Sequence, residues 1–242
     1  MFAIIHTIFA FLILGILTIA VVPAGLILFV FGFFFPKTAK LFTYKIAQGW
    51  SRLIIKLVGG RITVTGRENI PRTGPVCIAS NHCGIFDIIL LLAYLGRPFG
   101  FVAKIELALI PAINIWILLL GGQYINRKNM RKSLKTIGKS GEKVRSGGVM
   151  IIFPEGTRSK GRGLLPFKPG SLRLATESGS PIVPVAIAGS YEIFEQKHLV
   201  QKAAASITFC PAIETKNLPP EERRQVLADR VRDAVAAALP SN

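Results

Sequence analysis

Acidic residues are scarce in this chain of 242 residues, and none stands among the first 36. The whole chain has 13 Asp and Glu residues against 30 Lys and Arg residues, so its formal net charge is +17. This charge indicates an anionic partner: a nucleic acid, an acidic membrane or a phosphorylated small molecule. Lys and Arg are also missing from the first 36 residues, and a nucleic-acid-binding protein has no use for such a segment. Since no aromatic and basic recognition motif is found either, the sequence favours a membrane and predicts no nucleic-acid partner.

Cysteine is rare as well. The three cysteines, Cys77, Cys83 and Cys210, include no pair with the spacing of metal ligands, so no metal site is predicted. An odd number of cysteines, two of them in apolar runs, indicates reduced thiols facing a cytosol and not a disulfide framework. Cys83 stands beside His82, but adjacent residues on a turn seldom point at each other, so a thiol nucleophile is a weak candidate.

The uncharged segment is too long and too apolar for a signal peptide, and it lacks a basic start. As a helix, residues 2–20 would span about 28 Å, which is close to the roughly 30 Å of a membrane's hydrocarbon core. Pro23 and Gly25 then interrupt the segment, and a second apolar piece follows at residues 26–35. One kinked span and a two-helix re-entrant hairpin both fit this pattern.

Positive charges follow the uncharged segment, and no acid appears before Glu68. They are Lys37, Lys40, Lys45, Arg52, Lys56, Arg61 and Arg67. Because positive residues tend to flank the cytoplasmic end of a membrane span, the rest of the chain is expected in the cytoplasm. Between these cations apolar residues recur at helical spacing, at Ile46, Trp50, Leu53 or Ile54, and Leu57. This pattern suits a helix lying on an anionic bilayer, and it also fits a helix packed on a domain core. We expect a membrane-anchoring helical region over residues 1–58.

From residue 60 onward, short strand-like runs alternate with helical stretches. The predicted strands are 62–65, 76–79, 99–103, 123–126, 149–153, 182–188 and 206–210. The predicted helices are 88–95, 131–145, 171–178 and 221–239. This alternation predicts an α/β domain over residues 59–242, with a mixed, largely parallel sheet flanked by helices. Another apolar stretch, 107–120, fits the core, a membrane-dipping face or a pocket for an apolar chain.

A histidine and an aspartate, His82 and Asp87, stand just after the predicted strand 76–79. If the carboxylate holds one ring nitrogen, the other nitrogen is free to act as a base. Five positions along a regular helix correspond to about 500°, so the two side chains can meet only if the segment turns. Gly84 would supply the backbone freedom for that turn. A helix-capping Asp beside a structural His fits this segment as well.

Polar residues directly follow four of the predicted strands: Asn81 to Asp87, Lys104 and Glu106, Arg127 and Lys128, and Pro154 to Arg158. Ligands of open α/β sheets bind beyond the carboxyl ends of the strands, so parallel strands would bring these clusters to one edge. Lys104 and Arg127 are then expected to face the ligand. Arg158 stands in a turn that contains glycine and suits bidentate recognition of a phosphate. Glu155 would either orient Arg158 or bind a hydroxyl group of the ligand.

Two motifs carry a family resemblance: Asn81-His82 with Asp87, and Phe153 to Arg158. Together they resemble the glycerolipid acyltransferase family typified by lysophosphatidic acid acyltransferase. Supporting matches are Lys104-x-Glu106-Leu107 with Pro111, the strand leading to Arg127, Phe167 to Gly170, and Pro181 to Val185. The match covers roughly residues 60–190, in the order that the family shows.

The resemblance implies transfer of a fatty acyl group from a thioester to the hydroxyl of lysophosphatidic acid, giving phosphatidic acid. It implies that His82 is the general base and that Asp87 orients it. The implied substrate-binding residues are Lys104, Arg127, Glu155, Gly156, Thr157 and Arg158. Acyl-CoA or acyl carrier protein would be the donor substrate, and neither a cofactor nor a metal is expected. The chain contains no Gly-x-Ser-x-Gly elbow of the lipase type, and an activated thioester needs no covalent serine intermediate.

Two positions depart from the family pattern: Gly84 stands where many relatives carry Ser, and Asn126 where many carry Asp. Both flank the expected head-group site, so an acyltransferase for another lyso-acceptor, such as a lyso-aminolipid, is an alternative. A non-catalytic membrane lipid-binding protein is a second alternative, but it leaves the His82 and Asp87 pairing unexplained. The expected partners are the phospholipid bilayer, the lysophospholipid and the acyl donor. The expected location is a bacterial inner membrane, with the site on its cytoplasmic side.

Overall fold

The computed structural model describes residues 2–126 and 128–240, so the predicted ligand Arg127 lies outside the described residues. The helices are α1 Phe2–Ala20, α2 Val22–Phe34, α3 Pro36–Leu57, α4 Phe86–Tyr94, α5 Pro111–Leu119, α6 Met130–Arg145, α7 Arg173–Ser178 and α8 Gln225–Ala238. The strands are β1 Arg61–Thr65, β2 Val76–Ser80, β3 Gly100–Lys104, β4 Gln123–Ile125, β5 Val149–Ile152, β6 Ile182–Ala188 and β7 Ala204–Phe209. Short 3₁₀ turns lie between several of them, including Ile105–Leu109 and Ser190–Ile193.

The seven strands form one sheet in the order β1-β7-β6-β2-β5-β3-β4. Five neighbours, from β6 to β4, are parallel to one another. Strand β7 runs antiparallel to β6, and β1 pairs with β7 in parallel. The predicted mixed, largely parallel sheet is therefore confirmed. Because parallel strands end at the same edge, the loops after β2, β3, β4, β5 and β6 all leave the sheet on one side.

The sheet is buried on both faces, which explains why its central strands read as unbroken apolar runs. In β2, Val76 and Ile78 point to a core that α3, α4 and α5 cover. Cys77 and Ala79 alternate with them and point to a second core against α6, α7 and α8. The two-residue period of a strand thus assigns neighbouring residues to opposite cores.

Helix α4 begins two residues before the predicted start, at Phe86, so Asp87 lies in its first turn. The difference matters because a negative charge in the first turn of a helix is favoured by the helix dipole. Asp87 therefore belongs to the helix start and not to a loop before it.

Residues 2–34 form one interrupted helix, since only Val21 separates α1 from α2. The φ and ψ of Val21, −87° and −6°, stay close to helical values, and the N–H of Gly25 donates to its carbonyl oxygen at 3.1 Å. Pro23, which lacks an N–H group, accounts for the interruption. Of the two arrangements that the sequence left open, the structure has the kinked single helix. The chain reverses only at Phe35, after which α3 packs back along α1 and α2.

This helix exposes apolar side chains along nearly its whole length. The segment Ile4–Phe34 has 31 residues and includes an 18-residue window with a mean hydropathy of 2.7, so it is long and apolar enough to cross a membrane. Helix α2 packs Gly25 against Trp116 and Leu119 of α5. Near α5, Leu109 (82 % exposed) and Ile110 extend the apolar surface. A contiguous exposed surface of this kind is typical of a site that meets a membrane or another protein.

Helix α3 combines the two roles that its sequence allowed. It buries Tyr44, Ala47 and Ile55 in the domain core. On its opposite side, Leu53 and Leu57 are exposed and lie among the positively charged residues of the helix. The helix is thus packed on the α/β domain and still offers an amphipathic outer face.

Candidate active site

The structure brings His82 and Asp87 into direct contact. The ring Nδ1 of His82 lies 2.6 Å from Oδ2 of Asp87. An ionised carboxylate can only accept hydrogen bonds, so Nδ1 carries the proton and donates it to Asp87. The tautomer set in this way leaves Nε2 as the free base. The predicted turn between the two residues is present, because the N–H of Asp87 donates to the carbonyl oxygen of Gly84.

Asp87 is fully buried and is held by donors from three further residues. The backbone N–H groups of Cys83 and Gly84 donate to Oδ2 at 2.8 and 3.0 Å. The hydroxyl of Ser190 donates to Oδ1 in a short contact. These donors compensate the loss of hydration and fix the carboxylate against the histidine. Ser190 stands more than 100 residues away in sequence and carries no motif signal, so sequence reasoning missed it.

The ring and the backbone of His82 are also fixed. The ring stacks on Phe153, with centroids 4.1 Å apart and an angle of 21° between the planes. Its backbone N–H donates to Oε1 of Glu155 at 2.9 Å. Burial raises the pKa of Glu155 to about 7, an effect that the charge of Asp87 reinforces and the His82 N–H opposes. The first residues of the second motif thus hold the histidine of the first.

Backbone contacts join the two motif loops and a third strand. Asn81 exchanges two hydrogen bonds with the backbone of Ile187 in β6, each of 2.8 Å. The N–H of Ser159 donates to the carbonyl oxygen of His82 at 2.7 Å, and that of Lys160 to Cys83 at 3.1 Å. These bonds satisfy groups that would otherwise be buried without partners. The loop that carries His82 is therefore tied on both sides.

Gly84 has a different role from the one predicted. It is not among the glycines with positive φ, so the expected need for backbone freedom is wrong. A Cβ atom at this position would lie 3.0 Å from the backbone N and Cα of Tyr191 and from Oε2 of Glu195. A side chain here would press on the loop after β6, which would have to move by a few tenths of an ångström to admit it.

Arg158 pairs with a carboxylate that the sequence did not indicate. One of its terminal nitrogens lies 3.0 Å from Oε1 of Glu195. The same oxygen accepts the backbone N–H of Ile85 at 2.6 Å. Glu155 is 3 % exposed, and its carboxylate accepts backbone hydrogen bonds from His82 and Leu165. The structure therefore does not show Glu155 orienting Arg158, one of the two roles left open for it.

The turn before Arg158 is shaped by Gly156, whose φ is +70°. Its N–H donates to the carbonyl oxygen of Phe153 at 3.0 Å. Thr157 is exposed at the tip of this turn. The side chain of Lys168 lies across the turn, since its Nζ is 2.9 Å from the position of a Cβ on Gly156. In the sequence, Lys168 belongs only to the supporting match Phe167 to Gly170, and the structure adds it as a second cation beside the motif.

Lys104 lies at the end of β3, on the expected edge of the sheet. Its ammonium group pairs with Glu106 at 3.1 Å, and both side chains are about half exposed. The structure records no contact of Lys104 with the His82 and Asp87 pair or with Arg158 in the described ranges 2–126 and 128–240. Lys104 shares the edge with the other candidates, but it is not joined to them.

Cys83 is a buried thiol whose sulfur lies 3.2 Å from Oγ of Ser190 and 3.3 Å from the carbonyl oxygen of Ile187. Burial and the nearby charge of Asp87 raise the pKa of this thiol far above its usual range. A thiol kept protonated in this way is a poor nucleophile. Cys83 belongs to the packing behind Asp87.

Comparisons with known proteins identify relatives of this chain. A 1-acyl-sn-glycerol-3-phosphate acyltransferase of Chlamydomonas reinhardtii is 34% identical over 181 residues, which are 74% of this chain and 53% of that protein. The chain thus spans about half the length of this relative. A 1-acyl-sn-glycerol-3-phosphate acyltransferase of Borreliella burgdorferi is 31% identical over 190 residues, 78% of this chain and 75% of that protein.

A solved structure shares the fold. The crystal structure of the 1-acyl-sn-glycerophosphate acyltransferase PlsC from Thermotoga maritima is similar with a TM-score of 0.77 at 25% identity. The likeness covers 96% of this chain and 98% of that one, so it includes the N-terminal helices. The model of the family described as Acyltransferase matches residues 61–188, more than half of the 242 residues. This chain belongs to the acyltransferase family.

Proposed function

We propose that this protein transfers a fatty acyl group from an acyl thioester to the free hydroxyl of lysophosphatidic acid, with phosphatidic acid as product. The observation that carries the proposal is the 2.6 Å contact of His82 Nδ1 with Asp87, which leaves Nε2 as a base. Arg158 is tied to the same turn through Glu195. Relatives named 1-acyl-sn-glycerol-3-phosphate acyltransferase support this acceptor.

In the proposed reaction Nε2 of His82 takes the proton of the acceptor hydroxyl as that oxygen attacks the thioester carbonyl carbon. A C–O bond forms, and a tetrahedral oxyanion results. Collapse of this intermediate breaks the C–S bond, and the thiolate recovers the proton from His82. General-base catalysis of this kind typically contributes about 10²–10⁴-fold in rate. Asp87 keeps its own position throughout and stabilises the imidazolium.

The phosphate of the acceptor is proposed to bind to Arg158, with help from Arg127 and Lys104. A phosphate monoester carries up to two negative charges, so several cations are favourable. Lys168, lying across the Gly156 turn, adds a further positive charge there. Glu155, Gly156 and Thr157 shape this side of the site, Glu155 by holding the backbone of His82.

Acyl-CoA or an acyl carrier protein is the proposed donor substrate. A thioester is already activated, so the proposed mechanism uses neither a metal ion nor an organic cofactor. Because a thiolate leaves more readily than an alkoxide, the main requirement for catalysis is a base that removes the proton of the attacking hydroxyl.

The proposed place of action is the cytoplasmic face of a bacterial inner membrane. The exposed apolar residues of α1, α2 and α5 support contact with a bilayer. The seven cations of residues 37–67, which follow the apolar helix without an intervening acid, support the cytoplasmic orientation.

The test is acylation by the purified full-length protein with a labelled acyl thioester and a panel of acceptors. The panel contains lysophosphatidic acid, glycerol phosphate, a lyso-aminolipid and lysophosphatidylcholine. We expect labelled phosphatidic acid as the main product. Preference for another lyso-acceptor would refute the substrate, and binding without turnover would refute the catalytic proposal.

A further inference from the structure

Glu195 lies outside both sequence motifs, in the loop between the 3₁₀ turn Ser190–Ile193 and β7, yet its carboxylate contacts both motif loops. Its Oε1 accepts the N–H of Ile85 at 2.6 Å and a guanidinium N–H of Arg158 at 3.0 Å. Ile85 directly precedes α4, the helix that carries Asp87. A single carboxylate oxygen thus joins the turn of the proposed base to the proposed phosphate ligand.

The burial of the two charges is unequal. The side chain of Glu195 is 3 % exposed, whereas that of Arg158 is 39 % exposed. A buried carboxylate needs a charged partner or hydrogen-bond donors, and here Arg158 and Ile85 supply both. A guanidinium has five N–H donors, and Glu195 engages one nitrogen, so bidentate binding of an anion stays open to the others. Glu195 holds the inner side of Arg158 and leaves its outer side to a ligand.

The second oxygen of Glu195 explains the glycine of the first motif. Oε2 is buried and has no hydrogen-bond partner among the described residues. It lies 3.0 Å from the place that a Cβ atom on Gly84 would occupy. The carboxylate therefore fills the space beside the turn that a side chain at position 84 would otherwise take.

We propose that Glu195 is a positioning residue that sets the distance and orientation of Arg158 relative to His82. The inference rests on the proposed acylation of lysophosphatidic acid. The phosphate and the reacting hydroxyl belong to one small molecule. The cation and the base must therefore be held at a fixed distance and orientation relative to each other. A misplacement of about 1 Å can cost on the order of 10²-fold in rate.

The test is a double-mutant cycle with Glu195→Ala, Arg158→Ala and the double variant, assayed with lysophosphatidic acid and with uncharged monoacylglycerol. Glu195→Ala is expected to raise KM for lysophosphatidic acid and to lower kcat/KM about 10- to 100-fold, the scale of a hydrogen bond to a charged group. Monoacylglycerol acylation should change much less. In the Arg158→Ala background the Glu195 substitution should have little further effect, because its action runs through Arg158.

Glu195→Gln is the matched conservative variant, since its amide oxygen still accepts from Ile85 while the charge is lost. We expect an intermediate loss for lysophosphatidic acid, about 3- to 10-fold, at nearly unchanged thermal stability. If Glu195→Ala does not fold, Glu195→Gln by itself tests the positioning role of Glu195.

Equal losses for both acceptors, or losses that add across the cycle, would make Glu195 a structural residue and overturn the inference. An unchanged acceptor preference in Glu195→Gln would overturn it too. In each case wild-type acylation of lysophosphatidic acid keeps the proposed function intact. If the wild type does not acylate lysophosphatidic acid, the proposed function fails and this inference fails with it.

Discussion

His82 is the residue on which the proposed chemistry depends most directly, because Asp87 engages its Nδ1 and leaves Nε2 as the base. His82→Ala is expected to lower kcat by about 10²–10⁴-fold, since water does not replace a positioned base. The fold should persist, because Asp87 keeps its bonds from Cys83, Gly84 and Ser190.

The measurement is the turnover of labelled acyl thioester, together with thermal denaturation. His6→Ala, which changes an exposed histidine of α1, is the matched control and should keep wild-type turnover. Activity of His82→Ala within a few-fold of the wild type would contradict the mechanism.

Glu155 makes the stability of the protein depend on pH. Its pKa is raised from 4.5 to about 7, so the folded state retains a proton that the unfolded state releases within this range. The resulting contribution to stability is fully present below about pH 4.5 and is lost as the pH rises through about 7. Glu155→Gln does not titrate and keeps an oxygen that accepts the N–H of His82.

We expect the wild type to lose stability relative to Glu155→Gln between about pH 5 and pH 8. The measurement is the difference between the two Tm values at several pH values in this interval. A difference that stays constant with pH would show that Glu155 is ionised equally in the folded and unfolded states.

At the element scale, the turn before α4 is packed so closely against the loop after β6 that a Cβ atom on Gly84 would lie only 3.0 Å from Tyr191 and Glu195. Gly84→Ser should destabilise the protein by about 1–3 kcal/mol, the usual effect of overpacking, and should reduce activity by displacing Glu195. Gly49→Ala in α3 is the control, since a Cβ there meets nothing within 4 Å and should raise helix stability slightly. Equal stability of Gly84→Ser and the wild type in denaturant unfolding would show that the loop yields without cost.

Helix α1 also contacts the loop that lies beside the candidate site. Its Thr7 accepts the N–H of Val200 at 3.0 Å, and Phe11 packs edge to face on Phe194 with centroids 5.1 Å apart. Phe194 directly precedes Glu195. The helix therefore braces the loop that holds Arg158.

Deletion of residues 1–36 is expected to release much of the protein from membranes and to lower activity on bilayer substrate. Because the loop after Ser190–Ile193 loses its support, activity in detergent should fall too. Flotation with vesicles measures the first effect, and a detergent assay measures the second. Full activity of the truncated chain in detergent would show that α1 serves only as a membrane anchor and does not support the loop of Glu195.

At the scale of the whole molecule, the charge of +17 adds a long-range attraction to an anionic bilayer. Once residues 1–36 are removed, binding to anionic vesicles should weaken strongly as salt is added. The reason is that the electrostatic screening length falls from about 10 Å at 0.1 M ionic strength to about 3 Å at 1 M. The full-length chain should stay bound at high salt, since burial of apolar surface does not depend on charge. Salt-insensitive binding of the truncated chain, measured by vesicle co-sedimentation, would contradict the electrostatic contribution.

The sequence alone determined the class of fold and the order of its strands, but it did not identify α5, Pro111–Leu119, as a helix. Apolar runs of four to seven residues separated by helical stretches predicted all seven strands, because strand and helix periodicities are local properties of a chain. Local steric rules also predicted that residues 1–36 would be interrupted near Pro23. The motifs were identified from their residues, and because they follow β2 and β5, the parallel sheet predicted that they would meet at one edge.

Only the tertiary structure decided which groups surround those motifs. Ser190 and Glu195 come from the loop after β6, and their contacts with Asp87 and Arg158 span sequence separations of 103 and 37 residues. No local pattern marks such residues, because what selects them is the packing of one loop on another. The same packing explains Gly84, whose local reading as a flexible turn was wrong. Residue types and periodicity therefore determine what the chain can form, while long-range contacts decide which carboxylate holds which cation.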